Sequence, residues 1–199
     1  MPADFVFLAS ASPRRRELLR QIGVAVQLLE IRVDEALRAS EQPDSYVSRL
    51  AHAKAEAGWT CRQAGARAPV LAADTAVIVE GAILGKPKDQ SDAAMMLGRL
   101  SGRSHEVLTA VALRSDLGVE SRLSRSVVSF RDISAAEAER YWHTGEPCDK
   151  AGGYGIQGLG AVFVASLSGS YSGVMGLPLY ETAQLLDSAG VVRWNRSAS

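Results

Sequence analysis

Short apolar runs of strand length alternate along the chain with amphipathic stretches of helical period, and this alternation constrains the fold more than any other feature. Phe5-Val-Phe-Leu-Ala9 is a continuous apolar run of the kind a strand buried on both faces requires. Pro13 follows at a first-helical position, and Leu18, Leu19 and Ile22 give an apolar face that ends at Gly23. The same pattern predicts strands over 24–31, 69–73, 107–113, 122–130 and 161–167, and helices over 44–64, 91–100, 134–143 and 178–186. Ala76-Val-Ile-Val79 and Ala82-Ile-Leu84 flank Glu80-Gly81, which reads as a β-hairpin with a two-residue turn. Ser134 followed by Glu137 reads as a capping box. One hairpin among strand–helix alternations predicts an α/β fold, a mixed twisted sheet with flanking helices rather than a wholly parallel one.

At 199 residues the chain suits one domain over 1–199, with a short frayed tail at about 195–199. Lys plus Arg number 22 and Asp plus Glu number 22, so the formal net charge is zero, unlike the basic excess of proteins that bind nucleic acid. Disorder is excluded by 47% hydrophobic residues. No apolar run approaches the ~20 residues of a membrane helix. The start of the chain, with Asp4 and only Phe5–Ala9 apolar, lacks the pattern of a secretory signal. Cys61 and Cys148 form neither a CxxC nor a cluster with His52, His105 or His143. These features predict a cytoplasmic protein with no membrane partner and no stable nucleic-acid partner.

Three stretches can carry chemistry. In Ser10-Ala-Ser-Pro-Arg-Arg-Arg16, Ser12 fits the N-cap and Pro13 the first helical position. Arg14, Arg15 and Arg16 then fill a helical turn whose dipole favours acidic residues. Exposed N–H groups, small residues and cations together suit a phosphate. Successive helical residues lie about 100° apart, so at most two of these arginines face one anion. The alternative is plain surface charge.

Asp74-Thr75 follows the apolar Val70-Leu-Ala-Ala73, where α/β sheets place their ligands. A Glu80-Gly81 turn would pair Thr75 with Lys86 and bring Asp74 within a residue of that rung. Asp74 is then a general base or metal ligand beside a phosphate-neutralising lysine, or else a strand-end cap beside a rim lysine. The third stretch places Gly152, Gly153, Gly155, Gly158 and Gly160 close together. Its GxGxxG match is not a dinucleotide fingerprint, because polar residues precede it and a predicted strand follows it. It reads as a loop bringing backbone to a ligand, with Lys150 for charge and Gln157 for hydrogen bonding, or as a wide surface loop. The acidic pair Asp34-Glu35, Lys54 and His105 are weaker candidates, each of a kind more often surface than site, and Asp34, Glu35 and Asp74 offer oxygen ligands for Mg²⁺.

Together these segments resemble the Maf family of nucleoside triphosphate pyrophosphatases. The resemblance runs through Leu8-Ala-Ser-Ala-Ser-Pro-Arg-Arg15, Asp34-Glu35, Ala53-Lys54-Ala55, Ala73-Asp-Thr75, Gly85-Lys-Pro87, Ser101-Gly-Arg-Ser-His105, Lys150-Ala-Gly-Gly-Tyr-Gly-Ile-Gln-Gly158 and Gly176-Leu-Pro178. It implies an inosine triphosphatase-like fold with two lobes around a central cleft, a divalent metal such as Mg²⁺ or Mn²⁺, and a homodimer. The implied reaction hydrolyses a nucleoside triphosphate to the monophosphate and pyrophosphate. Asp74 would be the general base; Ser10, Ser12, Arg15, Lys54, Lys86 and Lys150 would bind phosphate or nucleotide; Glu35 and Asp74 would hold the metal. Arg14, Thr75 and Gln157 resemble the branch acting on dTTP and UTP. The related branch acting on 7-methyl-GTP tends to have Trp, Gln and Glu there. The alternative is a regulatory or nucleic-acid-binding protein linked to septum formation and cell division.

Overall fold

A computed structural model describes residues 3–63 and 67–194. The tail expected at 195–199 and the last residue of the helix expected over 44–64 lie outside the described residues. The chain is mixed α/β. In order it forms β1 (Phe5–Leu8), α1 (Pro13–Gln21), β2 (Ala25–Leu28), α2 (Pro43–Cys61), β3 (Val70–Val79), β4 (Ala82–Leu84) and α3 (Gln90–Leu100). Then come β5 (Ser104–Ser115), β6 (Gly118–Phe130), α4 (Ala135–Trp142), a run of 3₁₀ turns within Glu146–Phe163, β7 (Val164–Ser168), α5 (Tyr171–Met175) and α6 (Leu179–Ser188). The strands make a seven-stranded sheet in the order β2-β1-β3-β5-β6-β7, with β4 also on β3. β1 lies parallel to both β2 and β3, and β4 and β7 run antiparallel to their neighbours.

The chain divides into two compact units. The first holds the residues up to Asp74, then Thr109–Ser124 and the chain from Gly176 onward. Its centre is α2 on β1 and β3. Val47, Leu50, Ala51, Lys54, Ala55 and Gly58 recur at helical spacing and form the buried face of α2. Gly58 is required by this packing, since a Cβ there would lie 2.8 Å from Val70 Cγ1 and 2.9 Å from Ala9 Cβ. One turn earlier on the same face, that contact carries Lys54 to the strands.

The second unit holds Thr75–Leu108 and Arg125–Met175. Its core joins Val77, Leu84, Leu97, Val107, Phe130, Tyr141, Tyr154 and Phe163. The hairpin pairs Val77 with Leu84, Ile78 with Ile83 and Val79 with Ala82, the expected register. Glu80 and Gly81 both have positive φ (52° and 76°), as a type I′ turn demands. The capping box at Ser134 and Glu137 forms as the sequence predicts.

Four expectations change. The segments 69–73 and 76–79 are one strand, so Asp74 stands within β3 rather than at its end. The ladder stops at Val77–Leu84 and does not reach a Thr75–Lys86 rung; the Gly85 carbonyl instead accepts from Gly152 N–H at 2.9 Å. The strand expected over 161–167 begins only at Val164, because Leu159 and Gly160 give their N–H groups to Glu146 and coil the chain into a 3₁₀ turn through Phe163. α5 was not expected, and Pro178 is the N-cap of α6 rather than a residue within it.

Candidate active site

In the first unit, the parallel register of β1 on β3 (Phe7 with Val70, Leu8 with Leu71) leads the segment after β1 towards Ala73 and Asp74. Ser10 is buried there, and its Oγ accepts from Ser12 N–H at 3.1 Å and from Arg15 Nη1 at 3.1 Å. Ser12 occupies the N-cap of α1, but its hydroxyl makes no capping bond. Arg15 turns back across the helix start, with Nε donating to the Gly176 carbonyl at 2.8 Å. Burial pulls the Arg15 guanidinium below its ordinary pKa; Asp74 opposes this, Arg14 adds to it and Glu35 opposes it. Arg14 is half-buried and Arg16 exposed. Arg15 is thereby locked in place.

Lys54 is the hub of the site. Its Nζ lies 2.6 Å from Asp74 Oδ1 and 2.6 Å from Glu35 Oε1. The Lys54 and Asp74 side chains are each 11% exposed, whereas that of Glu35 is 54% exposed. A buried carboxylate this close to an ammonium is stable only because of it, and stranding one partner costs about 3–5 kcal/mol. Burial raises Asp74 above its ordinary pKa; Lys54 and then Arg15 pull it down, and Glu35 adds to the rise. The outcome is a carboxylate displaced towards neutrality, a property of groups that take up protons in catalysis. Glu35 and Asp74 converge on one cationic atom and offer hard oxygen donors. Mg²⁺ and Mn²⁺ fit such a pair, since they take one or two carboxylates and complete their shell with water and phosphate oxygen. No group of three or more His, Cys, Asp and Glu with metal-ligand geometry occurs among the described residues.

Residues that the sequence did not single out hold Glu35. Tyr46 Oη donates to the Glu35 carbonyl at 3.1 Å, and Arg49 Nη2 donates to the Ala36 carbonyl at 3.0 Å. Tyr46 shows in the sequence only as part of a helical apolar face, and Arg49 only as a further position of that helix. Neither feature reports a contact with a loop that precedes the helix.

In the second unit, Thr75 is half-buried and Lys86 and Gln157 are exposed. Lys150 donates from Nζ to the Glu146 carbonyl at 2.7 Å and to Asp149 Oδ1 at 2.6 Å. Internal packing accounts for several glycines around these residues. Glu146 accepts from Tyr141 Oη at 2.6 Å, Leu159 N–H at 2.8 Å and Gly160 N–H at 2.9 Å. A Cβ on Gly158 would sit 2.6 Å from Glu146 Cδ, and one on Gly160 would sit 2.6 Å from Tyr141 Oη. Burial works against the Glu146 charge, but the Tyr141, Gly160 and Leu159 donors hold its carboxyl below the ordinary range. The sequence missed Glu146 because one acidic residue before a glycine run carries no periodic signal.

The sequence profile of the family described as "Maf-like protein" matches residues 5–189. A protein of Saccharophagus degradans named dTTP/UTP pyrophosphatase is 53% identical over 194 residues, which cover 97% of this chain and 92% of the relative. A protein of Aromatoleum aromaticum with the same name is 54% identical over 198 residues, covering 93% of this chain and 95% of the relative. Among solved structures, a nucleoside-triphosphatase/dITP/XTP pyrophosphatase of Mycobacterium abscessus aligns with a TM-score of 0.46 at 18% identity, covering 92% of this chain and 95% of that one.

Proposed function

The chain belongs to the Maf family, and from that premise we propose that it hydrolyses dTTP and UTP, or modified forms of these nucleotides, to the monophosphate and pyrophosphate. The observation that carries the reading is the buried Asp74 carboxylate fixed at 2.6 Å on Lys54 with Glu35 on the same ammonium. It is supported by relatives of more than 50% identity that carry the name dTTP/UTP pyrophosphatase.

In the reaction, water attacks the α-phosphorus, the bond from that phosphorus to the bridging oxygen breaks, and pyrophosphate leaves. Asp74 takes the proton of the attacking water, a role suited to a carboxylate whose burial raises its proton affinity. Lys54 stays beside it and holds the carboxylate in place before the transfer. Ser10, Ser12 and Arg15 bind phosphate at the start of α1, with Lys54, Lys86 and Lys150 contributing further positive charge. Lys150 would exchange its contact with Asp149 for substrate. Glu35 and Asp74 would hold Mg²⁺ or Mn²⁺, which supplies charge against the roughly four negative charges of a triphosphate. Arg14, Thr75 and Gln157 select the pyrimidine base. The family resemblance also leads us to assign a homodimer in the cytoplasm; among the described residues, no helix is long and apolar enough to cross a membrane.

The test is a nucleotide panel with Mg²⁺ or Mn²⁺ and identification of the released anion. Pyrophosphate from dTTP and UTP is expected; orthophosphate would make the protein a phosphatase, and no release would end the enzymatic reading. Asp74→Asn should retain nucleotide binding while turnover falls by orders of magnitude, and unchanged turnover removes Asp74 from its role. The combined Arg14→Trp, Thr75→Gln, Gln157→Glu variant should lose preference for dTTP and UTP. If that preference survives, the specificity assignment is wrong.

A further inference from the structure

Glu35 sits in a segment with little to hold it. Residues 34–40 belong to no helix or strand, and every one of them is exposed. With no apolar burial, polar tethers decide where this backbone stands. Arg49 supplies one of them directly and braces others through Glu41. Arg49 Nε lies 2.6 Å from Glu41 Oε1, and Nη2 lies 2.7 Å from Glu41 Oε2 and 3.0 Å from the Ala36 carbonyl. The same Glu41 carboxylate accepts from Arg38 N–H at 3.1 Å, and the Arg38 carbonyl accepts from Glu41 N–H at 3.1 Å. Arg49 therefore ties residue 36 to residue 41 and closes the loop between them. Tyr46, three residues earlier on α2, donates to the carbonyl of Glu35 itself. The Arg49–Glu41 pair is well shielded, with side-chain exposures of 19% and 8%, so solvent competes weakly for it.

These contacts give α2 two holds on one residue. Lys54 takes the carboxylate of Glu35, and Tyr46 with Arg49 takes the backbone behind it. We propose that Arg49 is a positioning residue that fixes the 36–41 loop so that Glu35 stays on Lys54 beside Asp74. This inference rests on the reading of Glu35 as part of a metal-dependent pyrophosphatase site. The planar guanidinium is needed because it reaches a carboxylate and a carbonyl together, which a lysine ammonium cannot do in the same geometry. Groups that orient a metal-binding side chain typically contribute about 10–100-fold in metal affinity or activity.

The experiment uses the full chain with Arg49→Ala, Arg49→Lys, Glu35→Ala and the Arg49→Ala/Glu35→Ala double variant. Mn²⁺ binding is measured by calorimetry, amide exchange over residues 34–41 by mass spectrometry, and kcat and KM with dTTP. Arg49→Ala should weaken Mn²⁺ binding about tenfold, speed exchange over 34–41 and lower kcat more than it raises KM. Arg49→Lys should recover only part of each loss. The loss in activity should vanish when Glu35 is already Ala, because Arg49 acts through Glu35. Unchanged Mn²⁺ affinity and exchange, or an equal loss in the Glu35→Ala background, would overturn the assignment. Should Arg49→Ala not fold, Tyr46→Phe deletes a single tether; it should shift all three readouts the same way by a smaller factor, and no shift refutes the proposal. If the unaltered chain cleaves no nucleoside triphosphate, the pyrophosphatase reading fails, while Mn²⁺ binding and exchange still decide the role of Arg49.

Discussion

At His105 the imidazole meets Phe130 and Tyr154 edge to face at 4.9 and 5.5 Å, and Nε2 lies 2.8 Å from Tyr154 Oη. Burial alone lowers its pKa to about 4, so it is a neutral member of the core and not a titrating group of the site. The unfolded chain takes up a proton near pH 6.5, and the folded chain resists it until about pH 4. The stabilising difference is therefore complete above the unfolded value and is lost as pH falls through this window. Between about pH 7.5 and pH 5 the chain should lose roughly 2 kcal/mol of unfolding free energy from this residue. Urea titrations of the unaltered chain and of His105→Gln test this, and the variant should show a flatter dependence on pH. Equal slopes would mean that His105 shares its proton with the solvent. The sequence offers His105 as a weaker candidate, and residue type cannot tell a core imidazole from a catalytic one. Asp74 shows the converse. Its place after an apolar run marked it, but only the structure gives it Lys54, twenty positions away, and the burial that raises its pKa.

Elements were legible where periodicity or turn chemistry was strong. The Pro13 helix, the long α2, the Glu80-Gly81 hairpin and the Ser134 capping box each follow from local rules that leave little choice. The stretch from Glu146 to Phe163 was not legible, because its path is set by hydrogen bonds to one carboxylate and not by any repeat. The glycines read as room for a ligand are, at 158 and 160, room for Glu146 and Tyr141. Gly158→Ala should therefore cost about 1–3 kcal/mol by forcing the Glu146 side chain off its donors. Gly98, exposed in α3 with nothing within 4 Å of an added Cβ, supplies the contrast. Gly98→Ala should stabilise by about 0.5–1 kcal/mol through helix propensity alone. Chemical denaturation of both variants decides the matter, and a Gly158→Ala protein as stable as the parent would show that this loop can yield.

Over the whole molecule, the zero net charge proves to be a matter of placement. Arg49 faces Glu41, Arg131 faces Glu137, Arg193 faces Asp187, Arg125 faces Glu106 and Arg103 faces Glu80, so cations spread over both units already stand beside anions. Such pairs add little stability singly, but they break up any continuous basic face on which a duplex could lie. The site differs from that surface. Lys54 and Arg15 gather around Asp74 and Glu35 within one unit, a concentration of charge suited to a compact triphosphate. A regulator acting on nucleic acid would need the opposite distribution. Proteins that neutralise several phosphates bind duplex DNA tightly at about 50 mM salt and lose roughly 10³–10⁵ in affinity by about 200 mM. Fluorescence anisotropy with a labelled duplex should show no saturable binding by this chain even at the lower salt, while dTTP hydrolysis persists at both. Tight binding with a steep salt slope would restore the nucleic-acid reading, because paired surface arginines would then have to exchange their carboxylates for phosphates along the duplex.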